Sequence, residues 1–176
     1  MSNWKVLSTE VVFENDYMTV RNDKVINPRG GKNTYGHVQF KNKAIAIVPI
    51  DEEGNTWLVG QDRYTLGMKT WEVPMGGGSA DENPLDAAKR ELREETGLTA
   101  TTWSQIMRLH LSTSLTDEEG IVFVAQDLTE GDTDFDETED IEVRKVPLGE
   151  AIAMIARGEI TDASSVAALL RITAAV

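Results

Sequence analysis

Between Lys5 and Phe40 short apolar and β-branched runs such as Val11-Val12-Phe13 and Met18-Thr19-Val20 are set among polar residues, a pattern that predicts strands. The turn residues Pro28-Arg29-Gly30-Gly31 divide this region, so it reads as an antiparallel ribbon. The continuous apolar run Ala44 to Ile50 predicts a buried strand. The cluster Asp51-Glu52-Glu53-Gly54-Asn55 reads as a hairpin turn, and Thr56 to Arg63 as the returning strand. An irregular stretch follows, carrying Gly67, Trp71, Pro74 and the glycines Gly76 to Gly78, and leads into a helix.

That helix is the best delimited element. Asn83 suits the N-cap, Pro84 the first helical position and Asp86 the first turn, while Gly97 stands just past the end, each where helix termini favour it. Further strands are predicted around Trp103 to Leu111, Ile121 to Leu128 and Ile141 to Val146, and helices around Gly149 to Arg157 and Asp162 to Thr173. The acidic stretch Glu130 to Asp140 reads as a solvated loop. No internal repeat is visible.

The chain of 176 residues is long enough to bury one core. With 40% hydrophobic and 27% charged residues, neither disorder nor a fibrous repeat is indicated. The absence of cysteine removes disulfides and thiolate chemistry. No apolar segment near Met1 has the length of a secretory signal, and no run approaches the roughly 20 residues of a membrane span. A cytoplasmic protein without membrane association is therefore expected. A formal charge of −13 argues against nucleic acid as a partner. It also requires that any phosphorylated small substrate be bridged to the protein by a cation.

Glu91, Glu94 and Glu95 stand at i, i+3 and i+4, so at about 100° per residue their carboxylates share one side of the helix. Leu85, Ala88 and Leu92 form the adjoining apolar stripe, which places the anionic ridge at the edge of the core. Like charges at these spacings repel, and a hard divalent cation bound by oxygen ligands would relieve them. On their own, three helical glutamates are more simply a solvated face, with Asp86, Arg90 and Glu94 in ordinary i,i+4 pairs.

The surrounding residues alter that reading. Gly76, Glu82 and Arg90-Glu91-Leu92-Arg93-Glu94-Glu95-Thr96-Gly97-Leu98 resemble the complete Nudix box, G-x5-E-x7-R-E-U-x-E-E-x-G-U with U aliphatic, and every specified position is matched. The resemblance implies an α/β (α+β) fold: a Nudix-type α/β/α sandwich with a central mixed sheet in residues 41–176, preceded by the strand ribbon of residues 1–40. It implies that Glu91 and Glu95, with Glu94 beside them, ligate Mg²⁺ or its substitute Mn²⁺. The carbonyl of Met75 is a further candidate ligand, and Gly76, Glu82, Arg90 and Gly97 support the site.

Gln61-Asp62-Arg63 and Trp71-Glu72-Val73-Pro74-Met75-Gly76 resemble segments of the ADP-ribose and nucleotide-sugar pyrophosphatases. The implied roles are Arg63 on a substrate phosphate, with Glu72 and Trp71 near the nucleotide. Ser114 to Glu119, ahead of the strand Ile121 to Ala125, resembles the loop in which a glutamate acts near the attacking water. Glu118 falls at that position, and Glu119 is the alternative. Ile155 to Ala163 resembles the family's closing helix-loop-helix. One departure is visible: Ser112-Thr113-Ser114-Leu115 stands where ADP-ribose pyrophosphatases show a proline-containing turn, which favours a broader nucleoside diphosphate sugar hydrolase accepting ADP-ribose, ADP-glucose or GDP-mannose. The same resemblance implies a homodimer whose ribbon contributes an aromatic residue, Trp4, Phe13 or Tyr17, to the base. The rivals are a Nudix triphosphate pyrophosphatase and a non-catalytic nucleotide-sugar-binding module.

Overall fold

The structure is a computed structural model and describes residues 3–79, 81–132 and 140–174. The ribbon consists of β1 (Lys5–Glu14), β2 (Met18–Ile26) and β3 (Lys32–Phe40), antiparallel throughout. The Asn27 side chain organises the β2–β3 turn by accepting from the amides of Arg29 and Gly31, and Gly30 takes φ 86° there, a conformation that costs a glycine least.

The chain then enters a four-stranded sheet of β4 (Asn42–Pro49), β7 (Met75–Ser79), β8 (Leu98–His110) and β9 (Glu119–Glu130), in the order β7-β4-β9-β8. β4 and β9 are parallel and the other pairs antiparallel, so the sheet is mixed. A second, antiparallel sheet joins β5 (Asn55–Arg63), β6 (Met68–Glu72) and β10 (Glu142–Pro147) in the order β10-β5-β6. The helices are α1 (Pro84–Thr96), α2 (Leu148–Arg157) and α3 (Ala163–Thr173).

Strand β4 is buried on both faces. Ile45 and Ile47 pack with Ala87, Ala88 and Leu92 of α1, while Ala46 and Val48 pack with Met154 of α2 and Ala168 and Leu169 of α3. Alternation along one strand thus serves two helical layers, giving the expected α/β/α arrangement around a mixed sheet. Among the described residues no helix is long and apolar enough to cross a membrane.

Three expectations require correction. The irregular stretch after Arg63 contains two strands, β6 and β7, and the glycines Gly76 to Gly78 lie within β7, paired with β4. The turn at Asp51 forms as expected, with the Asn55 amide donating to the Asp51 carboxylate and Gly54 at φ 79°. The strands it joins do not form a hairpin, however, because β4 and β5 belong to different sheets. β8 starts at Leu98, directly after α1, rather than near Trp103. The closing helices lie where the periodicity predicts them, with Asp162 as the N-cap of α3. Most of the acidic stretch from Glu130 to Asp140 lies outside the described residues.

Candidate active site

Helix α1 starts where the Asn83 side chain accepts from the Leu85 amide, and it stops at Gly97, whose left-handed φ of 72° lets its amide reach the Arg93 carbonyl. A β-carbon on Gly97 would also collide with the Gly131 carbonyl. These fixed ends, together with buried Ala87, Ala88 and Leu92, set the rotation of the helix, and that rotation carries Glu91 and Glu95 inward. Glu91 is 9% and Glu95 3% exposed, so the ridge lies deeper than the edge position the sequence predicts. Glu94 is half-buried beside them.

Strand β7 receives these carboxylates. The Met75 amide donates to Glu95 Oε2 at 2.8 Å, and the Glu91 carboxylate lies directly over Gly76, in the space a β-carbon there would occupy. Arg90 ties the two elements together: Nη1 donates to Glu91 at 2.8 Å and Glu94 at 2.9 Å, and Nη2 donates to the Gly77 carbonyl at 2.9 Å and to Glu82 at 3.4 Å. Burial alone would lower the pKa of Arg90, but Glu82, Glu91 and Glu94 raise it further still. Arg90, itself paired with Glu82, thus holds Glu91 and Glu94 against β7, where Gly76 leaves space for the Glu91 carboxylate.

Gly76→Ala is expected to displace Glu91 and reduce kcat/KM on the order of a hundredfold, since shifts of about 1 Å in reacting geometry have effects of that size. Steady-state kinetics with a melting curve, to separate local displacement from unfolding, test this.

Among the described residues no three His, Cys, Asp or Glu side chains form a ready-made metal cage. The arrangement still fits a hard divalent cation. Mg²⁺ characteristically takes one or two carboxylates and completes its shell with water and substrate phosphate oxygens. Two buried carboxylates, Glu91 seated over Gly76 and Glu95 on the Met75 amide, offer oxygen donors alone and match that donor set.

A second group lies on β5 and β6. Glu72 is 3% exposed and accepts from Arg63 Nε at 2.9 Å, from Arg63 Nη2, and from Thr70 Oγ1 at 2.6 Å. Burial would raise the Glu72 carboxyl, but the Arg63 and Thr70 hydrogen bonds prevail and hold it below the usual range. Arg63 is raised by the same pairing, and its charge also interacts with Glu95 and Asp162, so this group adjoins the glutamates of α1. Arg63, Thr70, Glu72, Thr161 and Asp162 line a cavity of about 320 Å³. Trp71 is not brought there. Strand alternation sends its ring to the other face of β6, against Gly60 and beneath the Arg144 guanidinium at 4.0 Å.

The two loop glutamates differ. Glu119 is ion-paired to Arg108 at 2.5 Å. Glu118 is half-buried, and burial, with Asp162 and Asp117 nearby, pushes its carboxyl above the usual range. Of the N-terminal aromatics, Trp4 sits edge-on to Tyr35 at 5.4 Å and borders a cavity of about 360 Å³ between the ribbon and residues 113–117. Phe13 and Tyr17 are exposed and do not line it.

Thr70 and Asp162 escaped the sequence reading. Thr70 stands two residues before Glu72 and shares its strand face, a relation visible only once β6 is read as a strand. Asp162 is recognisable as a helix cap, but its approach to Glu118 and Arg63 is purely tertiary.

Comparison with known proteins matches the NUDIX domain model to residues 40–169 and the nucleoside diphosphate sugar hydrolase N-terminal domain model to residues 4–38. An ADP-ribose pyrophosphatase of Mycobacterium tuberculosis is 35% identical over 175 residues, covering 98% of this chain and 84% of that protein. One from Bacillus subtilis is 30% identical over 167 residues, covering 94% and 90%. A solved structure of an ADP compounds hydrolase, 23% identical, superposes with a TM-score of 0.87 over 97% of this chain and 92% of that one, a likeness of fold.

Proposed function

This chain belongs to the Nudix hydrolase family, and from that premise we propose that it hydrolyses the diphosphate bond of nucleoside diphosphate sugars in a Mg²⁺-dependent reaction. The products are a nucleoside monophosphate and a sugar phosphate. The observation that carries this reading is the pair of buried carboxylates, Glu91 and Glu95, seated on Met75–Gly76 beside the cavity of Arg63 and Glu72. Nudix enzymes are generally dependent on a divalent metal; the choice of Mg²⁺, with Mn²⁺ as substitute, rests on the oxygen-only donors.

In this reading Glu91 and Glu95 would hold the cation, and Glu94 and the Met75 carbonyl are the further candidate ligands. A cation bound there supplies positive charge to the diphosphate oxygens and acidifies water. Arg63 binds a phosphate oxygen, and because Glu72 holds the Nε–Nη2 edge of its guanidinium, the Nη1 side is presented in one orientation. Glu118 takes the proton from the attacking water as a new P–O bond forms and the bridging P–O bond breaks, leaving the bridging oxygen on the departing phosphate. Arg90 and Glu82 hold the loop and helix in register, and Gly76 and Gly97 permit the approach. Trp71, half-buried against Gly60, is assigned no substrate contact.

The relatives named ADP-ribose pyrophosphatase make ADP-ribose the first compound to test, and the departure at Ser112 to Leu115 keeps ADP-ribose, ADP-glucose and GDP-mannose all in the panel. Incubation of each with Mg²⁺ and alkaline phosphatase, and of deoxynucleoside triphosphates with Mg²⁺ alone and direct detection of pyrophosphate, decides: phosphate release from the diphosphate sugars is expected. Pyrophosphate from triphosphates alone would indicate the other Nudix chemistry, and binding without turnover would indicate a non-catalytic module.

The proposal includes a homodimer formed through residues 1–40. Every residue of β1 is exposed, among them Val6, Leu7, Val11, Val12 and Phe13, an apolar edge strand that an unaccompanied monomer would leave open to pairing. Light scattering is expected to return twice the 19.4 kDa chain mass, and Val12→Glu with Phe13→Glu to lower it. A cytoplasmic location completes the proposal, and cell fractionation tests it.

A further inference from the structure

The segment from Leu111 to Glu118 joins β8 to β9, and its end carries the glutamate to which the reaction assigns the proton. Its ends are held internally: the Leu111 amide donates to the Glu118 carbonyl at 3.3 Å, and the Leu115 and Thr116 amides donate to the Ser112 carbonyl at 3.0 and 2.8 Å. Residues 112–115 are all exposed, and Leu115 is 52% exposed. Apolar burial therefore does little to locate this segment.

Hydrogen bonds to the N-terminal ribbon locate it instead. The Val38 amide of β3 donates to the Leu115 carbonyl at 2.9 Å, and the Asp117 amide donates to the Val38 carbonyl at 3.3 Å, a short parallel bridge. Two side chains reinforce it. The Tyr35 hydroxyl donates to the Ser114 carbonyl at 2.7 Å, and Asp117 Oδ1 accepts from the Phe40 amide at 2.9 Å. These bonds span nearly eighty residues of chain, and the last of them is made by the residue adjoining Glu118.

We propose that Tyr35 and Asp117 are positioning residues for Glu118, so that strand β3 of the N-terminal ribbon is part of the catalytic apparatus in addition to any role in dimerisation. The inference rests on the proposed role of Glu118. Strand β3 runs directly into β4, the central strand of the mixed sheet, and so presents a rigid rail. An exposed loop docked along that rail by four bonds has far fewer conformations than one closed only on itself. The carboxylate to which the reaction assigns the water's proton is thereby held in one place, near Asp162. The Asp117 carboxylate, charged and accepting from a backbone amide, is the stronger side-chain tether.

The test compares wild type, Tyr35→Phe, Asp117→Ala, Asp117→Asn, Glu118→Gln and the double variant Tyr35→Phe/Glu118→Gln, at a pH well above the carboxylate range and on the best substrate of the panel. Tyr35→Phe keeps the ring beside Trp4 and removes only the hydroxyl. It is expected to lower kcat about fivefold, and Asp117→Ala about tenfold, the range for loss of one neutral or one charge-assisted hydrogen bond, with KM and the Mg²⁺ concentration for half activity changed less than about twofold. Asp117→Asn keeps the oxygen acceptor and should recover most of the loss. In the Glu118→Gln background the tyrosine substitution should change kcat less than about twofold, because a residue that acts through Glu118 has nothing left to position. Amide exchange should quicken at Val38 and Phe40 and stay slow at Met75.

Wild-type kcat in both Tyr35→Phe and Asp117→Ala, with Glu118→Gln impaired, would overturn the positioning role and leave the function standing. Independent, multiplicative losses in the double variant would overturn it equally. If Glu118→Gln turns over like wild type, Glu118 is not the base and the inference falls with that assignment.

Discussion

Glu95→Gln is expected to lower kcat/KM by on the order of a thousandfold while leaving the fold intact. The amide is nearly isosteric and keeps an oxygen to accept from the Met75 amide, a bond that seats Glu95 on β7, so the geometry at a site only 3% exposed survives. What disappears is a negative charge. Charge stabilisation by a metal is worth several kcal/mol in such reactions, and each 1.36 kcal/mol is a factor of ten. Melting curves separate this from general damage, and the signs oppose each other. Without metal, the variant loses one of the like charges that Glu91, Glu94 and Glu95 crowd onto one face of α1, so its stability should equal or exceed that of wild type. With Mg²⁺ at about a hundred times its dissociation constant, wild type should gain about 2.7 kcal/mol and the variant little. Equal stabilisation of both proteins by Mg²⁺ would remove Glu95 from the metal site.

That glutamates spaced along α1 announce themselves in the sequence is a consequence of local chemistry. Asn83, Pro84 and Gly97 terminate the helix through bonds within a turn of themselves, so its limits and the common face of Glu91 and Glu95 follow from spacing alone. Strand β7 is the opposite case. Gly76, Gly77 and Gly78 read as a loop because glycine is depleted in strands. Yet Gly76 is where the Glu91 carboxylate lies, and at Gly78 a β-carbon would stand 3.1 Å from Ile45 and 3.2 Å from Ala87. The demand for close approach at the site erased the strand signature, which is where local and global preferences are expected to diverge. Asp51 to Asn55 shows a different limit. Its turn chemistry is legible, but whether the flanking strands pair is decided by β7, β9, β6 and β10, all far along the chain. Arg63, Glu72 and Glu118 came through resemblance, whereas Thr70, Asp162, Tyr35 and Asp117 owe their places to contacts that no local pattern encodes. Trp71 illustrates the hazard of adjacency, since the residue beside Glu72 on a strand faces away from it.

Glu118→Gln is expected to reduce kcat between about a hundredfold and ten-thousandfold, the range for loss of a general base, whereas Glu119→Gln, which only breaks a surface pair with Arg108, should stay within about threefold. The pH profile supplies an independent sign. A base must be deprotonated to act, so kcat rises with pH through its pKa. Burial first, then the charges of Asp162 and Asp117, raise that pKa, so the position of the acidic limb depends on those two charges. Asp162→Asn removes one of the opposing charges and retains an oxygen to accept from the Ser165 amide, the bond that caps α3. The limb should therefore move to lower pH with little change in melting temperature. A bound cation lowers the same pKa, so wild type and variant are compared at one saturating Mg²⁺ concentration, where that contribution is common to both. A shift to higher pH, or an unmoved limb in Asp162→Asn, would mean that the group titrating in the profile is not Glu118. Persistence of the limb in Glu118→Gln would lead to the same conclusion by a separate route, because glutamine has no proton to lose in that range.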